Sequence, residues 1–246
     1  MRIALMLIRL IFQVPYMMLR ICIYGWTNKN FACTSEDLEH HAKAFAFIKM
    51  ATTKANRAGR VKIKVYGIEN IPKENGFVLF GNHQGAFDVL VFLESCPKPF
   101  SFIAKIEVKN TILLKQVMRA LGAYTMDRED LRQSMGIIKA ATEDVLNGKN
   151  ILIFPEGTRA PVPNTMIDFK GGSFKIATKA KSPIVPCALV DSYKPFDQNS
   201  IKPVTVKIMY LPPLYYDEYK DMKTIEIAEL VKSRIKVAIA ELLEKD

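Results

Sequence analysis

The sequence predicts an α/β fold: a mostly parallel central sheet flanked by helices, preceded by an amphipathic two-helix segment that associates with membrane. Three observations predict it. From Val61 onward, β-branched runs alternate with amphipathic helical stretches, the pattern of strands joined by crossover helices. The first 26 residues, MRIALMLIRLIFQVPYMMLRICIYGW, are apolar and punctuated by regularly placed polar residues. Polar residues also follow three strand-like runs, where the loops of such sheets carry chemistry. The 246 residues therefore divide into a membrane-association motif over 1–58 and an α/β domain over 59–246.

In the N-terminal segment, Arg2, Arg9, Gln13 and Arg20 are separated by 7, 4 and 7 residues. At about 100° per residue they fall within roughly 20° of one line along a helix. The expectation is a narrow basic stripe on an apolar helix lying in the headgroup region, its arginines reaching lipid phosphates. Pro15 bends this helix, and Tyr24 with Trp26 supplies an interfacial anchor. Neither apolar stretch bounded by Arg9 and Arg20 reaches the roughly 20 residues of a simple span. No small-residue cleavage site follows, as a signal peptide requires. An ordinary buried helix and a bitopic anchor are the alternatives. A second helix starts after Thr34-Ser35-Glu36-Asp37, a hydroxyl cap with acids in the first turn, and runs to about Arg57. The pair reads as a hairpin docked on one leaflet.

Beyond Val61 the strand candidates are VKIKVYG, FVLFG, FSFIAK, GAYTM, NILIFPEG, PIVPCALV and VTVKIMYL. Helices are expected over 107–121 and 129–147, in a short piece over 173–181, and from Met222 to the end. In the second of these, Leu131, Met135, Ile138, Ala141 and Val145 share a face, and Gly148 supplies the stop. No helix precedes VTVKIMYL, so that strand is expected to run antiparallel.

Thirty-five basic and twenty-five acidic residues leave a net charge of +10, which favours anionic partners. Residues 1–60 hold nine Lys/Arg and three acids, so most of the excess accompanies the apolar N-terminal helices. A nucleic-acid surface would instead interleave basic residues with exposed aromatics or present a reading helix. Cys22, Cys33, Cys96 and Cys187 are scattered, as expected of reduced thiols in a cytosolic protein. His40 and His41 lie near Glu36, but neighbours on a helix point about 100° apart, so they read as polar surface. Neither phosphate-binding glycine motif occurs, and no metal or cofactor is implied.

The three polar clusters are His83 with Asp88 after FVLFGN, Arg128 after GAYTMD, and Glu156 to Arg159 after ILIFP. A histidine near an aspartate is common, and its bland reading is a hydrogen-bonded structural histidine. Proline, glycine and arginine ending one strand make FPEGTR the more specific signal. Its bland reading is a tight turn with a solvated arginine.

NHQGAFD at 82–88, GAYTMDR at 122–128, FPEGTR at 154–159 and SPIVPCAL at 182–189 stand in the order of four motifs. On these the chain resembles the glycerolipid acyltransferases, in particular bacterial 1-acyl-sn-glycerol-3-phosphate acyltransferases of the PlsC type, over about 60–210. The resemblance implies transfer of a fatty acyl group from a thioester to the sn-2 hydroxyl of lysophosphatidic acid, giving phosphatidic acid. It implies His83 as general base and Asp88 as its orienting carboxylate, with the acceptor supplying the hydroxyl. Arg159 is the first expected phosphate ligand, Lys105 the second and Arg128 a further one. Glu156, Gly157 and Thr158 complete the substrate-binding set, Glu156 either orienting the acceptor or bracing its loop. The co-substrate is an acyl-ACP or acyl-CoA thioester. The implied place is the cytoplasmic face of the cell membrane, on an anionic surface. Acylation of glycerol-3-phosphate or another lysophospholipid is the alternative, as is a non-catalytic lipid-binding protein.

Overall fold

The computed structural model describes residues 1–28, 34–107, 114–127 and 130–245. Seven strands form one sheet: β1 (Val61–Tyr66), β2 (Val78–Gly81), β3 (Phe100–Lys105), β4 (Tyr124–Met126), β5 (Asn150–Ile153), β6 (Ile184–Val190) and β7 (Val204–Tyr210). Their order is β1-β7-β6-β2-β5-β3-β4. Every pair is parallel except β6 with β7, so β7, as expected, and also β1, which was not expected, run antiparallel to the other five strands. Successive strand residues face opposite sides, and two apolar cores result. Leu79 joins the core beneath the N-terminal helices, whereas Val78 and Phe80 join the core beneath the C-terminal helix.

On the first face lie α3 (Ser35–Ala58), α4 (Asp88–Ser95) and α5 (Leu114–Ala120). Helix α3 starts at the expected place: Thr34 and Asp37 form a capping box that satisfies two otherwise orphan amides. It buries Ala44, Phe45 and Ile48 in the main core, so this helix belongs physically to the sheet. On the second face α6 (Leu131–Leu146), α7 (Lys175–Ala180) and α10 (Thr224–Glu244) pack. In α10, Ile227, Val231, Ile235, Ala238 and Leu242 recur at helical spacing and are buried. Short helices α8 (Lys194–Asp197) and α9 (Tyr216–Tyr219) complete the chain.

The first predicted helix is two: α1 (Arg2–Arg9) and α2 (Val14–Thr27), bent by 98°. Pro15 sits at the start of α2, where its missing N–H costs nothing, whereas a continuous helix would place its ring against a carbonyl. No single described helix is long and apolar enough to cross a membrane.

Of the basic stripe only Arg2 is buried; Arg9 and Gln13 are exposed and Arg20 is half-buried, and all four make bonds within the protein. Arg2 is buried and donates through Nε to the Pro195 carbonyl (3.1 Å), through Nη1 to Gly59 (2.6 Å) and through Nη2 to Lys202 (2.9 Å). Arg9 donates to the Ala58 carbonyl, and Gln13 accepts from Lys54. Arg20 donates to the Tyr24 hydroxyl and lies over the Tyr24 and Phe47 rings. The physical reason is the end of α3. Ala58 and Gly59 carry carbonyls left without helical partners at the negative end of the helix dipole, and guanidinium groups satisfy them. Apart from Arg9 and Gln13, what α1, α2 and the turn between them show outward is largely apolar: Ile8, Ile11, Phe12, Tyr16, Leu19 and Trp26 are all exposed.

Candidate active site

Parallel strands β3, β5, β2 and β6 end on the same edge of the sheet, so the residues that follow them converge. His83 comes two residues after β2, Lys105 ends β3, Glu156 to Arg159 follow β5, and α8 follows β6. Residues 82–85 are irregular, and α4 begins at Asp88 itself. His83 therefore stands outside the helix and turns back: its Nδ1 lies 2.7 Å from Asp88 Oδ2. The same oxygen accepts from the backbone N–H groups of Gln84 (2.7 Å) and Gly85 (3.0 Å). An oxygen that already accepts two amide protons faces the ring as an acceptor as well. That assigns the proton to Nδ1 of His83 and leaves Nε2 as the basic nitrogen.

The histidine backbone is pinned on both sides. Its N–H donates to Glu156 Oε1 at 2.7 Å, and its carbonyl accepts from Ala160 N at 3.0 Å. Glu156 Oε2 accepts from Ile167 N at 2.9 Å, and the side chain is only 1% exposed. Glu156 thus ties the loop after β5 to His83 and to Ile167. Of the two expected roles, orienting the acceptor or bracing the loop, its contacts are those of the brace. Burial pushes its carboxyl above the usual range, opposed by the two amides and by His83.

Three neighbours had no role assigned from sequence. Asn82 is buried and bridges β2 to β6, donating to the Leu189 carbonyl (3.1 Å) and accepting from Leu189 N (2.7 Å). Gln84 Nε2 donates to the same carbonyl at 2.5 Å. The Phe154 ring stacks on His83, with centroids 4.6 Å apart. The adjacency of Asn82 and Gln84 to His83 was the available signal; their partner 105–107 residues away was not.

Two glycines are required by geometry. Gly157 holds φ +75°, a region that side chains rarely adopt, and a Cβ there would lie 3.0 Å from Lys170 Nζ. Gly85 serves close approach rather than backbone freedom: a Cβ would lie 3.2 Å from Tyr193 Cα.

His83 opens onto a cavity of about 820 Å³, a volume ordinary for a small-molecule site. Lys105, Thr158 and Arg159 line it together with His83, and the rest of its lining is mostly apolar, supplied largely by α1, α2, α3, α4 and α5. Arg159 is 49% exposed, with Nη1 3.8 Å from Asp197 Oδ1; Lys105 pairs with Glu107 at 2.5 Å. Arg128 lies outside the described residues. Among the described residues no group of His, Cys, Asp and Glu is placed to hold a metal. His41, expected on the surface, is buried, with its pKa lowered to about 4 by desolvation and by Lys149.

A histidine held by a carboxylate at a strand end and a pinned FPEGTR loop meet at one apolar cavity, and the chain belongs to the Acyltransferase family. The family model matches residues 62–190. A 1-acyl-sn-glycerol-3-phosphate acyltransferase of Borreliella burgdorferi is 34% identical over 141 residues, covering 57% of this chain and 56% of that protein. A probable 1-acyl-sn-glycerol-3-phosphate acyltransferase of Mycoplasma pneumoniae is 34% identical over 137 residues, covering 54% and 50%. The chain thus spans about half the length of these curated relatives. The solved structure of PlsC, the 1-acyl-sn-glycerophosphate (LPA) acyltransferase of Thermotoga maritima, has the same fold: TM-score 0.70 at 21% identity, over 93% of this chain and 97% of that one.

Proposed function

We propose that the protein transfers a fatty acyl group from a thioester to the sn-2 hydroxyl of lysophosphatidic acid, releasing phosphatidic acid and a free thiol. The observation that carries this reading is the shared cavity. His83 and two cations, Lys105 and Arg159, line one cavity whose walls are otherwise mostly apolar. An alcohol is a poor nucleophile at neutral pH, so its proton must leave as it attacks. Nε2 of His83 takes that proton, and the Asp88 carboxylate steadies the imidazolium through Nδ1. The hydroxyl oxygen bonds to the thioester carbon, the carbon–sulfur bond breaks, and the imidazolium returns the proton to the departing thiolate. Because the acceptor brings its own oxygen, no enzyme nucleophile or acyl-enzyme is needed. No cofactor enters the reaction.

In this reading Arg159 and Lys105 hold the acceptor phosphate, the former through its planar fork. Gly157 lets the loop turn tightly, Thr158 lines the cavity, and Arg128 is a further phosphate ligand. The apolar part of the cavity takes a fatty chain. The exposed apolar face of α1 and α2 seats the protein in one leaflet, since soluble proteins seldom expose such a patch. A seat on the cytoplasmic face puts the cavity beside its lipid acceptor and within reach of an acyl-ACP or acyl-CoA donor. The test is a matrix of donors against acceptors with purified protein in lipid vesicles. Phosphatidic acid from lysophosphatidic acid with at least one thioester supports the reading. Vesicle binding with no transfer from any donor would favour a lipid-binding protein.

A further inference from the structure

Arg159 already has a counter-ion. Asp197 Oδ1 stands 3.8 Å from its Nη1, too far for a hydrogen bond but close enough for the charges to feel each other. This carboxylate borders the proposed acceptor region: Phe196, its neighbour, lines the cavity with Gly85 and Arg159, and a Cβ on Gly85 would lie 3.4 Å from Asp197 Oδ2. Nor is it a drifting surface group, because α8 is held in place. Arg2 binds the Pro195 carbonyl, Phe196 packs edge-on to Phe87 at 5.1 Å, and the Asp197 N–H donates to Tyr193.

We infer that Asp197 is a specificity-determining residue that competes with the acceptor phosphate for Arg159. The inference rests on the proposed binding of phosphate by Arg159. At 3.8 Å the guanidinium keeps its N–H groups available to a phosphate, while its charge is partly cancelled. A phosphate dianion entering this site meets a fixed carboxylate, so acceptor and product are both held less tightly than the arginine alone would hold them. Phosphatidic acid carries the same phosphate as its precursor. The carboxylate therefore speeds product departure at the expense of acceptor affinity. An acceptor whose phosphate bears a cationic ester group meets an attraction at the same place.

The experiment compares wild type, Asp197→Asn, Arg159→Gln and the double variant, measuring KM for lysophosphatidic acid and inhibition by phosphatidic acid. Half-exposed ion pairs predict a change of about two- to fivefold. Asp197→Asn should lower KM and tighten product inhibition by that factor, with a smaller change in kcat. Both effects should vanish in the Arg159→Gln background. A higher KM would show that Asp197 positions the guanidinium instead, and an unchanged KM, or an effect that persists without Arg159, would also overturn the inference. If Arg159→Gln alone leaves KM untouched, the phosphate reading itself fails and the inference goes with it. If Arg159→Gln raises KM but Asp197→Asn does nothing, only the role of Asp197 fails.

Discussion

One nitrogen of the His83 ring is committed to Asp88 and the other is basic, and that asymmetry follows from a carboxylate that also accepts two backbone amides. Replacing Asp88 by Asn keeps one acceptor oxygen for the ring and the two amides but removes the negative charge that would steady an imidazolium. Transfer should fall about 10²–10⁴-fold with little change in KM, measured by initial rates at saturating acceptor. At this scale much could be read in the sequence. NHQGAFD and FPEGTR named the polar residues, and the offset of five between His83 and Asp88 required a non-helical junction. What could not be read were contacts made across the sheet. Glu156 reaches back 73 residues to the His83 amide, and Asn82 reaches 107 residues to Leu189. Local pattern holds no record of such distant partners, so Glu156 had two open roles and Asn82 had none.

Among the elements, the N-terminal helices show where periodicity stops being sufficient. The 7–4–7 spacing put Arg2, Arg9, Gln13 and Arg20 on one face of a continuous helix, a face that the 98° bend between α1 and α2 divides. It could not say whether lipid phosphates or orphan carbonyls would satisfy that face. The C-terminus of α3 supplied the carbonyls. Arg2→Ala removes three bonds to buried or part-buried carbonyls, and a single bond to a charged donor contributes about 1.5–3 kcal/mol. The expected loss of about 2–3 kcal/mol should appear as a lower Tm in thermal unfolding. Helix α3 makes a second prediction through His41. Its ordinary pKa of 6.5 is lowered to about 4 in the folded chain, because burial and Lys149 disfavour the charged ring. The unfolded chain therefore binds a proton over a pH range in which the folded chain does not. Stability should fall as pH drops from about 6.5 toward 4, by roughly 3 kcal/mol once both states are protonated. In denaturant titrations at a series of pH values, His41→Phe should flatten that slope; an unchanged slope would assign the acid sensitivity elsewhere.

For the whole molecule, the sheet brings four strand ends to one edge while α1 and α2 carry an exposed apolar face on the side of the same cavity. The alternation of strands and helices was legible from residue 61 onward, including the change of direction at β7. The strand order was not, because it depends on which edges pair. In the proposed seating on a leaflet, attachment is expected from burial of apolar surface more than from the arginines. Ile8→Glu with Phe12→Glu should reduce co-flotation with vesicles strongly, and raising salt should reduce it only modestly. Complete release by salt alone would restore electrostatic attachment.

The proposed reaction rests on the His83 imidazole taking the proton of a hydroxyl brought by the substrate. The most direct test is the rate of phosphatidic acid formation from lysophosphatidic acid and a thioester donor by wild type and His83→Ala in vesicles, with Tm recorded for both. The account predicts a loss of about 10²–10⁴-fold at an essentially unchanged Tm. Transfer by His83→Ala at a rate near that of the wild type would contradict it.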